Sequence, residues 1–267
     1  GVAVKNGTGY MLLTGNQIGA ILLHYIVTQK SLQGRLPQNG AVLKTIVTSE
    51  LGRDIASAYD LTTIDTLTGF KYISEKIKEF ETTGSHEFLL GYEESYGYLI
   101  GDFVRDKDAV QTCVLIAEAA AFYHTKSMTL YDALQEMFAR YGYYQEDLAS
   151  LTLEGKAGVE QITAILQALR DNPPVEFGGK TVIAREDYTS SERVIVEEEN
   201  RIEPIELPKS NVLKYLLEDG AWVCVRPSGT EPKIKFYFGV KEATEEDSRN
   251  VLDAVKQAVL ERVVAEE

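Results

Sequence analysis

Cysteine is scarce in this chain: Cys113 and Cys224 are the only two in 267 residues. A disulfide-stapled fold needs more of them. Both sit in apolar stretches, "TCVLIA" and "WVCVR", so they read as reduced core thiols of a cytoplasmic protein. Histidine is almost as rare. His24, His86 and His124 are scattered and show no metal-ligand spacing. No apolar run approaches the roughly 20 residues of a membrane-crossing helix, and no signal-peptide pattern is present, so no membrane partner is expected. Basic residues are outnumbered, with Lys and Arg at 27 against 41 Asp and Glu, for a formal net charge of −14. Such a surface repels phosphate backbones, which argues against a nucleic-acid partner. An anionic small molecule needs a local basic pocket set against that field.

What is present suits a globular enzyme or binding protein of two domains. The chain starts "GVAVK", with glycine in place of methionine, and this reads as a strand already under way. Further residues are therefore expected upstream. The first half alternates strand and helix. "GVAVK" and "GYMLL" flank an "NGTG" turn. Thr14 and Gln17 form a capping-box signal for a helix that places Ile18, Leu22, Tyr25 and Ile26 on one face. "AVLKTIVTS", "LTTIDT" and "EFLLGY" read as strands. "SELGRDIASAY", with Ser49 as its cap, and "FKYISEKIKEF", with Phe70, Ile73, Ile77 and Phe80 inward, read as the helices between them. Asp108 with Gln111, and Thr129 with Asp132, open two more helices, the second stopped at Gly142.

Near residue 143 the pattern changes. "DLASLTLE" is a strand, and "AGVEQITAILQALRDN" is a helix ended by Pro173-Pro174. "KTVIARED", "NVLKYLLED", "AWVCVR" and "KIKFYFGV" are strands. A last helix from Thr244 turns Val251, Leu252, Val255 and Val259 inward. "EEENRIEPIELP" reads as a loop. The expectation is a mixed three-layer α/β/α sheet domain over 1–143, followed by a smaller α+β domain with an antiparallel sheet over 144–267.

Four stretches carry chemistry. In "RPSGTEP", Arg226 offers a planar fork of donors for phosphate, Ser228 and Thr230 offer hydroxyls, and Gly229 permits a backbone nest of N–H groups. The same residues equally make an ordinary hairpin turn. In "GYEESYG", Glu93 and Ser95 stand between glycines. Carboxylates accept from sugar hydroxyls, and a solvated acidic turn is the other reading. Adjacent glutamates in an extended segment diverge, which opposes a glycosidase-like pair. Arg105 and Lys107 precede the Asp108-capped helix, where they either favour an anion or pair with Asp102, Asp106 and Asp108. "LTGFKYI" puts Thr68 and Gly69 before Phe70 at a strand-to-helix junction, which by itself reads as structural.

In this order the stretches resemble the α-D-phosphohexomutase family of phosphoglucomutases and phosphomannomutases. "GYEESYG" is similar to its sugar-binding loop through Glu93 and Ser95. Thr68, Gly69 and Phe70 are similar to its sugar-reading loop. "KDA" stands for its "KDG" element through Lys107 and Asp108. "RPSGTEP" is similar to its phosphate loop through Arg226, Ser228, Gly229 and Thr230. The family's phosphoserine loop and Asp-rich metal loop have no counterpart here, so the chain resembles the third and fourth of four domains.

The resemblance implies interconversion of hexose 1-phosphate and hexose 6-phosphate through glucose 1,6-bisphosphate, with Mg²⁺ bound by an upstream domain. Missing N-terminal domains of the same chain and a hexose phosphate are the implied partners. Arg226, Ser228, Gly229 and Thr230 are then expected to hold the phosphate that is not reacting. Glu93 and Ser95 are expected to hold the 3- and 4-hydroxyls, with Thr68, Gly69, Phe70 and Arg105 also binding substrate. Some members place a histidine after the loop's serine, where Tyr96, Gly97 and Tyr98 stand here. The general acid/base role falls to Lys107 or to an upstream residue. The isolated chain is expected to be inactive. A non-catalytic module that binds a phosphosugar or another anion is the alternative.

Overall fold

The computed structural model describes residues 1–153, 155–229 and 231–265. The chain divides into two compact units, residues 1–141 and 142–267. Unit 1 is a mixed α/β domain and unit 2 carries an antiparallel sheet with helices, the fold class expected.

In unit 1 the hairpin β1 (Val2–Asn6) and β2 (Gly9–Leu13) leads into helix α1 (Gly15–Leu32). Both halves of the capping box form: the Thr14 hydroxyl accepts the Gln17 N–H at 3.2 Å, and the Gln17 side chain accepts the Thr14 N–H at 3.0 Å. A four-stranded sheet has the order β4 (Thr62–Thr66), β3 (Gly40–Thr45), β5 (Glu87–Glu93), β6 (Gly97–Leu99). β3 runs parallel to β4 and β5, while β6 returns antiparallel to β5. Strand alternation then sorts the helices. Gly91 of β5 faces Ile73 of α3 (Phe70–Thr83), and Tyr92 faces the other way, against Gly19 of α1 and Gly52 of α2 (Leu51–Ser57). The sheet is thus covered on both faces. Helix α2 begins after Glu50, which makes no side-chain cap, but the Ser49 hydroxyl accepts the Leu51 N–H at 3.2 Å.

Helices α4 (Ala109–Thr125) and α5 (Leu130–Tyr141) complete the unit. Asp108 caps α4 through the Gln111 N–H, but the Gln111 side chain turns to the Gly101 N–H, so only half of that box forms. One expectation fails on α4. Cys113 is exposed, and only Cys224 is a core thiol. The helix is apolar nearly all round, yet only Thr112, Ala119 and Tyr123 are buried, so local hydropathy misreports the face that packs.

Unit 2 orders seven strands as β11 (Arg201–Pro204), β10 (Glu192–Ile195), β9 (Lys180–Asp187), β12 (Leu213–Leu217), β13 (Trp222–Pro227), β14 (Lys233–Glu242), β7 (Tyr143–Thr152), all antiparallel. The short β8 (Glu176–Phe177) pairs with β9. Helices α6 (Gly155–Asp171) and α7 (Glu245–Ala265) cover one face. There Ile234, Phe236, Phe238 and Val240 of β14 meet Ile165 and Leu166 of α6 and Val255 and Val259 of α7. "EEENRIEPIELP" is not wholly loop, because it contains β11. Arg201–Pro204 is an edge strand, where charge and proline are tolerated and hide the period-2 pattern.

Candidate functional site

In unit 1 the carboxyl ends of β3, β4 and β5 lie at one edge of the sheet, where open α/β folds place ligands. Glu93 is the last residue of β5 and is 8% exposed. One of its oxygens, Oε1, accepts the Gly69 N–H at 3.0 Å. Gly69 follows β4 and sits at φ 116° and ψ 122°, a region open to glycine and costly for other residues. The turn at Thr68–Gly69 therefore exists in a form that points a backbone donor at Glu93. Burial raises the Glu93 carboxyl above the usual range. The Gly69 N–H pulls it back down, Glu94 pushes it up, and Lys107 and Asp106 act down and up in turn.

The other oxygen of Glu93 lies beside Gly97. A Cβ at Gly97 would fall 2.9 Å from Glu93 Oε2 and 2.7 Å from Lys107 Cδ, so the glycine lets the Lys107 side chain lie over the loop next to the carboxylate. The Lys107 ammonium binds Asp106 at 2.6 Å and stands 5.0 Å from the centre of the Phe70 ring. Phe70 itself is buried in the core with Ile73, Ile77 and Phe80. Ser95 and Tyr96 are exposed at the loop tip, with Tyr96 at φ 67°. Arg105 turns elsewhere, to the Glu81 carboxylate and the Asp102 carbonyl.

Glu93 and Glu94 diverge, as neighbours on a strand end do. Glu94 Oε2 accepts the hydroxyls of Thr45 and Thr48, each at 3.2 Å. The turn bearing Thr48 is itself pinned by Lys44. This fully buried ammonium lies 3.0 Å from both Glu50 and Asp65 and donates to the Thr48 carbonyl at 3.1 Å. Arg53 spans the same two carboxylates. A buried cation this well paired fixes geometry. The amino end of α1 braces the loop as well. Tyr98 Oη donates to the Gly15 carbonyl at 2.8 Å, and the Asn16 side chain accepts the Ser49 N–H at 3.0 Å. Thr45, Thr48, Gly15 and Asn16 were not singled out from sequence. The only local signal was a hydroxyl-rich turn following a strand.

In unit 2, strand alternation puts Arg226 of β13 on the sheet face opposite α6 and α7, paired in register with Lys235. Its Nε and Nη2 donate to Tyr237 Oη at 3.3 and 3.1 Å. The Ser228 N–H is spent on the Lys233 carbonyl at 2.7 Å, which closes the turn. Gly229 is exposed and outside the left-handed region, so the amide nest read from sequence lacks the Ser228 donor and a left-handed glycine. Thr230 lies outside the described residues. The turn borders an open cleft of about 470 Å³ against Val159 and Ile162 of α6.

Two family models match, described as "Phosphoglucomutase/phosphomannomutase, alpha/beta/alpha domain III" over residues 14–141 and as the C-terminal domain of the same enzymes over 151–258. The chain belongs to the phosphoglucomutase/phosphomannomutase family. It is 41% identical to a phosphoglucomutase of Staphylococcus haemolyticus over 235 residues, which is 88% of this chain and 41% of that protein. It is 39% identical to one of Staphylococcus aureus over 257 residues, 96% of this chain and 45% of that protein. The chain thus spans less than half the length of these curated relatives.

Solved structures share the fold at low identity. The Paramecium phosphoglucomutase pp63/parafusin, in its open form, superposes with a TM-score of 0.65 at 15% identity, over 96% of this chain and 41% of that one. A phosphoglucomutase/phosphomannomutase family protein from Burkholderia thailandensis gives 0.55 at 12% identity, over 95% and 42%.

Proposed function

We propose that this chain is the substrate-recognising part of a cytoplasmic phosphoglucomutase/phosphomannomutase that interconverts hexose 1-phosphate and hexose 6-phosphate through a bisphosphate intermediate. The observation that carries the reading is the Glu93 carboxylate. It is buried at the sheet's carboxyl edge with one oxygen occupied by the Gly69 N–H. The second oxygen is left to accept from hydroxyls of a sugar ring, and Ser95 at the loop tip adds a further polar contact. A ligand that must turn over within a site presents its central hydroxyls similarly in both orientations, and a carboxylate accepts from either.

In unit 2, Arg226 supplies the charge for the phosphate that is not reacting. The Ser228 hydroxyl, the Gly229 N–H and Thr230 are its partners in that task. Lys107, held over Gly97 beside Glu93, is the chain's candidate for general acid/base work. Its Phe70 neighbour acts by supporting the ammonium from the core. Arg105, engaged with Glu81, can reach substrate only by exchanging that partner. The resemblance assigns Mg²⁺ to an upstream domain. Phosphoryl transfer needs a donor serine and charge neutralisation, which the resemblance assigns to upstream domains. The isolated chain is therefore proposed to bind hexose phosphate without turning it over.

Titration of the ¹⁵N-labelled chain with glucose 1-phosphate tests this. Amides of residues 68–70 and 93–97 in unit 1, and of 226–229 in unit 2, are each expected to shift, and Glu93→Gln is expected to weaken binding about tenfold, or about 1.4 kcal/mol. If inorganic phosphate bound as tightly and moved only residues 226–229, the chain would be an anion-binding module. Clear turnover in a coupled assay would refute the proposed inactivity.

A further inference from the structure

Unit 2 holds a second group of arginines, on the helix-covered face of the sheet, beside a pocket that carboxylates also line. A pocket of about 190 Å³ opens at the carboxyl end of α6, walled by Leu169, Pro173, Leu213 and Tyr215 with Arg170 and Arg185. Arg185 of β9 is the register partner of Tyr215 on β12 and of Val194 on β10, so its side chain lies on the face that α6 covers. It is half-buried, and among the described residues its guanidinium has neither an ion pair nor a hydrogen bond. Arg262 of α7 reaches the Asn172 carbonyl at 2.7 Å, and its Nε is buried without a partner. The cationic field is felt at Tyr215. Burial raises its phenol, and the charges of Arg262, Arg170 and Arg185 oppose that rise.

Glu186, Asp187 and Glu192 border the same pocket, and none of them pairs with Arg185. Asp187 is committed to Arg170, whose Nε and Nη2 reach it at 2.7 and 3.2 Å, and to the Thr189 N–H. Glu186 projects from the other sheet face, where Tyr188 Oη donates to it at 2.8 Å and Arg193 lies 3.7 Å away. Glu192 stands exposed at the rim. The negative end of α6 attracts cations in general, and Arg262 already satisfies that end. It gives no account of Arg185. A guanidinium that lines a pocket without a protein partner leaves its planar fork of donors for an oxyanion to fill.

We propose that this pocket binds a small organic oxyanion, with Arg185 as its principal ligand and Arg170 beside it. The walls call for a short apolar body on the charged group. The volume is below the roughly 300–1,000 Å³ of pockets for drug-sized ligands, so the body is no more than a few carbons. Nothing in the pocket depends on the loop at Arg226.

The test uses the full ¹⁵N-labelled chain and two probes, butyrate and inorganic phosphate. Butyrate is expected to shift the amides of residues 169–172 and 185–187 to saturation. Arg185→Gln should weaken that response at least tenfold, and Arg226→Gln should leave it unchanged. Phosphate is expected at both places, with the response at residues 226–229 lost only in Arg226→Gln. As a measurement on the unaltered chain, butyrate should slow modification of Arg185 by phenylglyoxal, read by peptide mass spectrometry. Absence of a saturable shift near Arg185, a shift that survives Arg185→Gln, or unprotected modification of Arg185 would each overturn the proposal.

Discussion

The Gly69 N–H donates to Glu93 Oε1 at 3.0 Å, joining the turn after β4 to the end of β5. The bond holds a carboxylate that burial has made reluctant to ionise. Its folded carboxyl titrates above the unfolded one, so the folded state binds more protons across that window. The stability this supplies is present at low pH and is lost as pH rises through the folded value. Above that value the ionised Glu93 is therefore a liability to the fold. Glu93→Gln keeps an acceptor for Gly69 and removes the charge. It is expected to raise the thermal midpoint at pH 7 while weakening glucose 1-phosphate binding. Melting and titration of the same preparation check both; a lower midpoint would show that the charge is compensated.

Gly97 separates Lys107 from Glu93. An alanine there forces the lysine aside, because its Cβ would stand 2.7 Å from Lys107 Cδ. Lys107 is long and near half exposed, so it yields readily. Gly97→Ala is expected to cost within about 1 kcal/mol of stability. Affinity for glucose 1-phosphate should fall about tenfold, because the Lys107 side chain is pushed away from beside Glu93. Urea denaturation and titration separate the two. Unchanged affinity would remove Lys107 from the site.

Local signals made most of the fold legible. Thr14 and Gln17 are three residues apart, and their reciprocal bonds form as the pair implies. Ile234, Phe236, Phe238 and Val240 alternate strictly, and they line the core of unit 2. Cys113 misleads because its burial depends on what covers α4, which no local pattern records. Of the site, Glu93 and Arg226 stand out through their glycine-framed and hydroxyl-flanked settings. Their supports do not. Thr48 meets Glu94 from a different loop, and the clamp of Gly15 on that loop depends on a missing side chain, which a sequence shows only as one more glycine.

His24 supplies a pH dependence. It sits between α1 and α4, with Nδ1 2.8 Å from Tyr123 Oη. Burial first, then the charges of Arg140 and Lys126, lower its pKa to about 4. The folded value lies below the unfolded one, so the unfolded chain binds the extra proton. Stability is full above pH 6.5 and drains as pH falls toward 4, by at most about 3 kcal/mol. His24→Gln is expected to reduce the loss between pH 7.5 and pH 4.5 by up to that amount. Urea midpoints of both proteins at the two pH values decide it. Equal losses would mean that His24 charges freely in the fold.

Gly15 and Gly229 make opposite predictions from the same substitution. A Cβ on Gly15 would lie 1.9 Å from the Glu94 carbonyl oxygen and 2.7 Å from its carbon, and backbone atoms cannot swing aside as a lysine does. Alanine gains up to about 1 kcal/mol of helix propensity at such a position, but overpacking costs about 1–3 kcal/mol, so the clash wins. The strain falls on the turn that carries Glu93, so Gly15→Ala should lose hexose-phosphate affinity along with stability. Gly229 is the control in unit 2. A Cβ there meets nothing within 4 Å and no left-handed backbone is required, so Gly229→Ala should stay within about 0.5 kcal/mol of the parent. If Gly229→Ala nevertheless abolished phosphate binding without changing the urea midpoint, a methyl group would be intruding on the ligand itself. That result would place the bound phosphate directly over the turn between β13 and β14.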